Sequence, residues 1–188
     1  IKAGRASEGQ AAAASHTGAL AGSDDVYDYA LRRAGILRVG RIDELFAAAE
    51  TIERLAPVLS DRLTILTNGG GPGVMATDAL VRGGGRLTEL SDATLRKLDE
   101  ILPPTWPRRN PVDIIGDATE DRYREAIRVL ATAPEVDSLL VIHSPTATVE
   151  SEGAARAAVE AAGVARNKIL TSWLGGESST NARRVFAE

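Results

Sequence analysis

Residues 62–80 read RLTILTNGGGPGVMATDAL, and the fold turns on this stretch. Leu63 to Leu66 form a short aliphatic and β-branched run suited to a strand buried on both faces. The run feeds into Asn68, Gly69, Gly70, Gly71, Pro72 and Gly73, and helical spacing follows at once. A strand that passes through glycines into a helix is the first half of a βαβ unit, so a parallel sheet is expected. The same residues suggest chemistry. Glycines let a backbone approach a ligand closely, and the N–H groups at a helix start carry about half a positive charge toward it, so an anion is the expected occupant. Pro72 fits the first turn of a helix. A tight turn with no ligand would use the same residues; position favours a site, because the first βα turn of a doubly wound sheet is where ligands bind. The stretch lacks the lysine and hydroxyl of a P-loop, which argues against a direct grip on a triphosphate. The candidate phosphate-binding residues are therefore Asn68, Gly69, Gly70, Gly71 and Gly73.

Downstream the same rhythm repeats. Strands are expected at 62–67, 86–90, 112–115, 138–143 and 168–173, with helices near 73–81, 93–101, 120–133 and 149–162 and a last one starting near Ser178. This is the pattern of an α/β, flavodoxin-like, doubly wound parallel five-stranded sheet, with expected strand order 2-1-3-4-5, over residues 58–188. Upstream, Ser23 or Asp24 caps a helix through DVYDYALRRAG that Gly35 stops. Apolar residues at 42, 45, 46, 49, 52 and 55 mark another helix, ended by Pro57. Residues 1–57 therefore read as a mostly helical remnant of a second domain of the same kind.

One of the two histidines, His16, lies in the stretch ASHTGALAGSDD, read as an open loop of small residues. Ser15, Thr17 and Gly18 leave an imidazole there sterically open. With an unperturbed pKa of about 6.5, much of that ring is unprotonated near neutral pH and able to accept a phosphoryl group. His143 closes a strand at the carboxyl edge, where bonding to the next loop is the commoner role. The stretches 110–119 and 172–179 end at the same edge and are candidate rim segments, although turn and cap chemistry accounts for them equally well. Asp113 reads equally as a structural carboxylate bonded to backbone amides.

Composition narrows the classes. The 188 residues are 44% hydrophobic and 26% charged, with only 4% aromatic, so the core is aliphatic. A net charge of -4, with no basic run, gives no footprint for a nucleic acid or an anionic membrane. No cysteine occurs, which excludes disulfides, thiolate metal sites and cysteine nucleophiles; no metal site is expected. No apolar stretch nears the roughly eighteen residues of a membrane span, and there is no signal-peptide layout, so a cytoplasmic protein is expected. The chain opens at Ile1 with IKAGR, which reads like a strand end, so it is expected to be a piece of something longer.

Two motifs, SHTGALAG within residues 2–50 and NGGGPG within residues 67–80, together with NPVDIIGDATEDRYREAIRVL, VDSLLVIHSPTA and ILTSWLGG, resemble the NDP-forming acyl-CoA synthetases, relatives of succinyl-CoA synthetase. The resemblance covers essentially the whole chain. It implies that His16 is the catalytic histidine that becomes phosphorylated, with Ser15, Thr17 and Gly18 supporting its loop, and that Gly70 to Gly73 hold phosphate beside it. It also implies an acid-thiol ligase that interconverts acyl-CoA, NDP and phosphate with carboxylic acid, NTP and CoA. CoA, the nucleotide (ADP/ATP or GDP/GTP) and Mg are then substrates handled with other domains, and no cofactor is held permanently. The implied partners are a CoA-binding domain and an ATP-grasp domain of the same chain or complex, in a dimer or higher oligomer, so this piece is expected to be inactive alone. The alternative is a regulatory synthetase-like module of a protein lysine acetyltransferase, which retention of His16 disfavours. A flavin or phospholigand module ranks last, because few aromatic residues are present to stack on a flavin.

Overall fold

The structure, a computed structural model, describes residues 5–17, 23–54, 60–147, 149–165 and 168–187. Gly18 and the expected boundary at 57–58 lie outside them. The chain divides into two units, Ile1–Ala56 and Pro57–Glu188.

In the second unit, strands β1 (Arg62–Thr67), β2 (Arg86–Leu87), β3 (Val112–Asp113), β4 (Ser138–His143) and β5 (Lys168–Trp173) alternate with helices. All recorded pairings are parallel. Helix α4 (Gly70–Arg82) follows β1, and α5 (Asp92–Asp99) follows β2. Next come α6 (Glu120–Thr132), α7 (Ser151–Ala162), a 3₁₀ turn (Gly176–Ser179) and α8 (Thr180–Ala187). Thr67 faces α4, while Leu66 turns the other way into a core with Leu139, Val141, Tyr123, Ile127, Leu130 and the alanines of α7. Five alanines of α7 are buried, so this helix lies close against its neighbours with little side-chain bulk between them. Aliphatic strands between helical layers are what the sequence pattern demands.

The strand order differs from 2-1-3-4-5. β4 pairs directly with β1 over Thr64–Thr67, and β5 lies beyond β4. β3 does not separate them; it pairs with Leu66 and Thr67 of β1, whereas β2 pairs with Arg62 and Leu63. Backbone groups of Leu63, Ile65 and Thr67 all point to one edge, so β2 and β3 lie end to end along it. The gap between them is filled by Asn110: its Oδ1 accepts the Ile65 N–H at 3.0 Å, and its Nδ2 donates to Leu63 and Thr88 carbonyls at 2.9 and 3.0 Å. Two two-residue strands and one side-chain amide thus satisfy an edge that a full strand would otherwise cover. Asn110, read as part of a pocket rim, is a sheet residue in practice. The expected strands at 86–90 and 112–115 are correspondingly short; Ile115 takes φ +68, which ends β3.

In the first unit, α1 (Ser7–Thr17), α2 (Asp24–Arg33) and α3 (Ile42–Arg54) are helices. α1 corrects the reading of an open loop around His16: the backbone at Ser15, His16 and Thr17 is the last turn of a helix. Ala11 to Ala14 are four consecutive residues of the highest helix propensity, and that propensity outweighs the small-residue, loop-like composition. Helices α2 and α3 are held by charge. The Arg38 guanidinium pairs with Asp24 and Asp28, and the Glu44 carboxylate accepts the N–H groups of Gly40 and Arg41 at 2.8 and 3.1 Å, capping α3. Their apolar positions Val26, Tyr29, Ile42, Phe46 and Ile52 are exposed, so the amphipathic pattern has no core to serve among the described residues of this unit.

Candidate functional site

The candidate anion site is built at the junction of β1 and α4. Thr67, fully buried, closes the turn: its Oγ1 accepts the Gly69 N–H at 3.1 Å and donates to the Gly69 carbonyl at 3.0 Å. That carbonyl also receives the Gly73 N–H at 3.4 Å, the first bond of the helix. Pro72 has no N–H to offer. Of the five nominated residues, Gly69 and Gly73 therefore spend their donors internally. The N–H groups of Gly70 and Gly71 meet no acceptor among the described residues and point out of the helix start, with the field of the helix behind them.

Asn68, also nominated, has its side chain committed elsewhere in the fold. It is 2% exposed, and its side-chain amide is used entirely on the loop after β4: Oδ1 accepts the Ser144 N–H and Nδ2 donates to the Ser144 carbonyl, both at 2.8 Å. Gly73 is a packing glycine, since a Cβ there would meet Thr67 Cγ2 at 3.1 Å and Pro111 at 3.5 Å. A Cβ on Gly70 would come 3.4 Å from Asp113 Oδ2, while one on Gly71 would meet nothing within 4 Å. Asp113 Oδ1 holds the Ile115 N–H at 2.8 Å, so this carboxylate forms an acidic edge beside Gly70. The open side of the turn is therefore the Gly71 side, away from the Asp113 carboxylate.

His143 is not part of this site. It is fully buried, with Nδ1 2.8 Å from the Tyr123 hydroxyl and Nε2 3.0 Å from Ser151 Oγ, and its ring stacks on Trp173 at 5.4 Å. The Trp173 indole N–H donates to the Ser151 carbonyl at 3.0 Å. Burial pushes the His143 imidazole below its ordinary pKa, and burial, then the Asp113 charge, pushes the Tyr123 hydroxyl up. Sequence reasoning had weighed His143 as the lesser histidine, and it did not find the Tyr123–His143–Ser151 chain, whose members are 20 and 8 residues apart. In the first unit, Ser15 Oγ donates to the Ala12 carbonyl at 2.7 Å, tying that hydroxyl to its own helix. The side chains of His16 and Thr17, like Gly18, lie outside the described part of the chain.

The comparisons agree with this architecture. Residues 1–52 match a succinyl-CoA ligase like flavodoxin domain, and residues 63–178 match a Ligase-CoA domain. The ADP-forming acetate-CoA ligase I of Archaeoglobus fulgidus is 38% identical over 186 residues, covering 99% of this chain and 26% of that protein. The ADP-forming 4-hydroxybutyrate-CoA ligase of Nitrosopumilus maritimus is 34% identical over 188 residues, covering 100% and 27%. Among solved structures, acetyl-coenzyme A synthetase 1 of Ca. Korarchaeum cryptofilum, in complex with phosphate and ADP, superposes with a TM-score of 0.85 at 33% identity, covering 100% of this chain and 41% of that one. The chain thus spans between about a quarter and two fifths of the length of these three proteins. Its parallel five-stranded unit, its glycine-opened helix and these matches together show that the chain belongs to the Ligase-CoA domain family, alongside the ADP-forming acid-CoA ligases.

Proposed function

We propose that this chain is the phosphoryl-handling part of an NDP-forming acyl-CoA synthetase. The observation that carries the reading is the start of α4, where Gly70 and Gly71 present two unclaimed N–H groups in a chain of this family. In the reaction proposed, phosphate attacks the acyl-CoA carbonyl, the CoA thiolate leaves and an acyl phosphate forms. An unprotonated nitrogen of His16 then attacks phosphorus and the carboxylate departs. The terminal phosphate oxygen of a nucleoside diphosphate finally takes the phosphoryl group from the imidazole, giving the triphosphate and restoring the histidine. The Gly70 and Gly71 donors neutralise phosphate charge during these transfers, as fixed dipoles aimed at the transferring group do. Mg enters with the nucleotide, and CoA and the nucleotide are held by a CoA-binding domain and an ATP-grasp domain in an oligomeric enzyme.

The relatives' ligase names favour this catalytic reading over a regulatory acetyltransferase module. They name different acyl groups, acetate and 4-hydroxybutyrate, so acyl choice is assigned here to residues outside this chain. The test uses the full-length protein, wild type and His16→Asn, incubated with ATP labelled in its terminal phosphate and Mg. Wild type is expected to gain an acid-labile, base-stable protein label and, once a carboxylic acid and CoA are added, to form acyl-CoA, and His16→Asn to do neither. A variant that retains both label and synthesis sinks the assignment.

A further inference from the structure

The last residue of β1 and the one after it are polar, yet both are buried and both side chains are bonded within the protein. Thr67 folds the turn onto Gly69, and Asn68 reaches sideways to the loop after β4. β1 and β4 are adjacent strands whose chains lead away in opposite directions, to β2 on one side and β5 on the other. Such a point opens a crevice between the strand ends. Here the crevice is spanned by two hydrogen bonds of 2.8 Å from the amide of Asn68, itself 2% exposed, to the half-buried Ser144. Ser144, thus held, brings its hydroxyl against the turn: a Cβ on Gly69 would meet Ser144 Oγ at 3.0 Å. Gly69 is therefore hydrogen-bonded by Thr67 and lies beside the Ser144 hydroxyl, which leaves little room for a side chain there, and the next two residues carry donors with no acceptor among the described residues.

We infer that Asn68 is a positioning residue for the anion: it touches no phosphate, and through Ser144 it sets the direction of the Gly70 and Gly71 N–H groups. This rests on the reading of that helix start as the phosphate site. A structural tie with no such consequence would lower stability and leave phosphate binding alone, so the two roles separate in kinetics.

The experiment is a double-mutant cycle in the full-length enzyme, with inorganic phosphate as varied substrate. Asn68→Ala removes both bonds, and Ser144→Pro removes the N–H that Asn68 accepts, together with the hydroxyl beside Gly69, while leaving Asn68 in place. Each is expected to raise KM for phosphate about tenfold, the scale of a small misplacement of binding groups, with KM for the acyl-CoA unchanged. The double variant is expected to match the worse single variant, because both act through one link. Additive effects, or an unchanged phosphate KM in Asn68→Ala, overturn the inference. Should Asn68→Ala fail to fold, Ser144→Pro decides alone, and wild-type phosphate KM in it is the overturning result. Gly71→Val is run beside them. If it leaves phosphate KM unchanged, the phosphate site itself is misplaced; if it raises KM while Asn68→Ala does not, only the positioning role falls.

Discussion

His143 shows how one buried side chain makes stability depend on pH. Both ring nitrogens are occupied by hydroxyls, and among the described residues no carboxylate is hydrogen-bonded to the ring to stabilise a charge. Its folded pKa is lowered by burial, while in the unfolded chain it is about 6.5. Between those two values the unfolded state binds more protons, so stability falls as pH drops through about 6.5 and levels off below the folded pKa. His143→Phe keeps the stack on Trp173 and removes the titration, at the cost of orphaning the Tyr123 and Ser151 hydroxyls. At pH 8 the variant is expected to be about 2–3 kcal/mol less stable, and the gap to narrow as pH is lowered from 7.5 to 5.5. Urea unfolding across that range measures it; a gap that is constant or widens toward low pH contradicts the neutral, buried imidazole.

At the level of elements, α4 is a helix whose first turn is made of residues that rarely start one. Gly70 and Gly71 have low intrinsic propensity, and Gly69 supplies no side-chain cap. Tertiary contact compensates: Thr67 organises the entry, and Gly73 allows the helix to settle onto Thr67 and Pro111. Gly71 and Gly73 therefore separate function from packing. Gly71→Val places its methyls in the open space above the helix start, so the fold is expected to survive while affinity for inorganic phosphate, measured by calorimetry on the full-length enzyme, falls at least about tenfold through blocked approach. Gly73→Val forces the side chain against Thr67 and Pro111 and is expected to cost about 1–3 kcal/mol of stability by overpacking. Equal phosphate affinities in wild type and Gly71→Val, or an undiminished unfolding midpoint in Gly73→Val, reverse the respective assignments.

Across the whole molecule, the two units differ in what they bury. The second contains the sheet and a continuous apolar core, and both tryptophans of the chain, Trp106 and Trp173, are buried in it. Its size is that of an ordinary autonomous domain. Residues 57–188 expressed alone are expected to unfold in one cooperative step, with coincident tryptophan fluorescence and far-UV circular dichroism transitions. Because tryptophan emission reports only this unit, its denaturation midpoint in 57–188 is expected to equal that in 1–188. A midpoint lowered by truncation would mean that the first unit contributes to the stability of the second.

What the sequence determined by itself was the part governed by short-range pattern. Aliphatic runs of β-branched residues, capped amphipathic stretches and the glycine-opened helix placed β1, β4, β5 and the helices between them, because strand and helix periodicities are local properties. The α1 helix was not read from the sequence, because the small residues around His16 suggested a loop. What only the tertiary structure decided was pairing and the use of polar groups. The place of β3 on the β2 edge of β1 depends on Asn110 reaching three backbone groups that lie 22 to 47 residues away. The division of the glycine turn into two free donors and two spent ones depends on Thr67, and the role of Asn68 on Ser144, 76 residues on. A polar residue's partner is set by which strands lie side by side, and composition and spacing carry no record of that neighbour. Hydrogen-bond satisfaction of buried groups is settled only when the chain has closed around them.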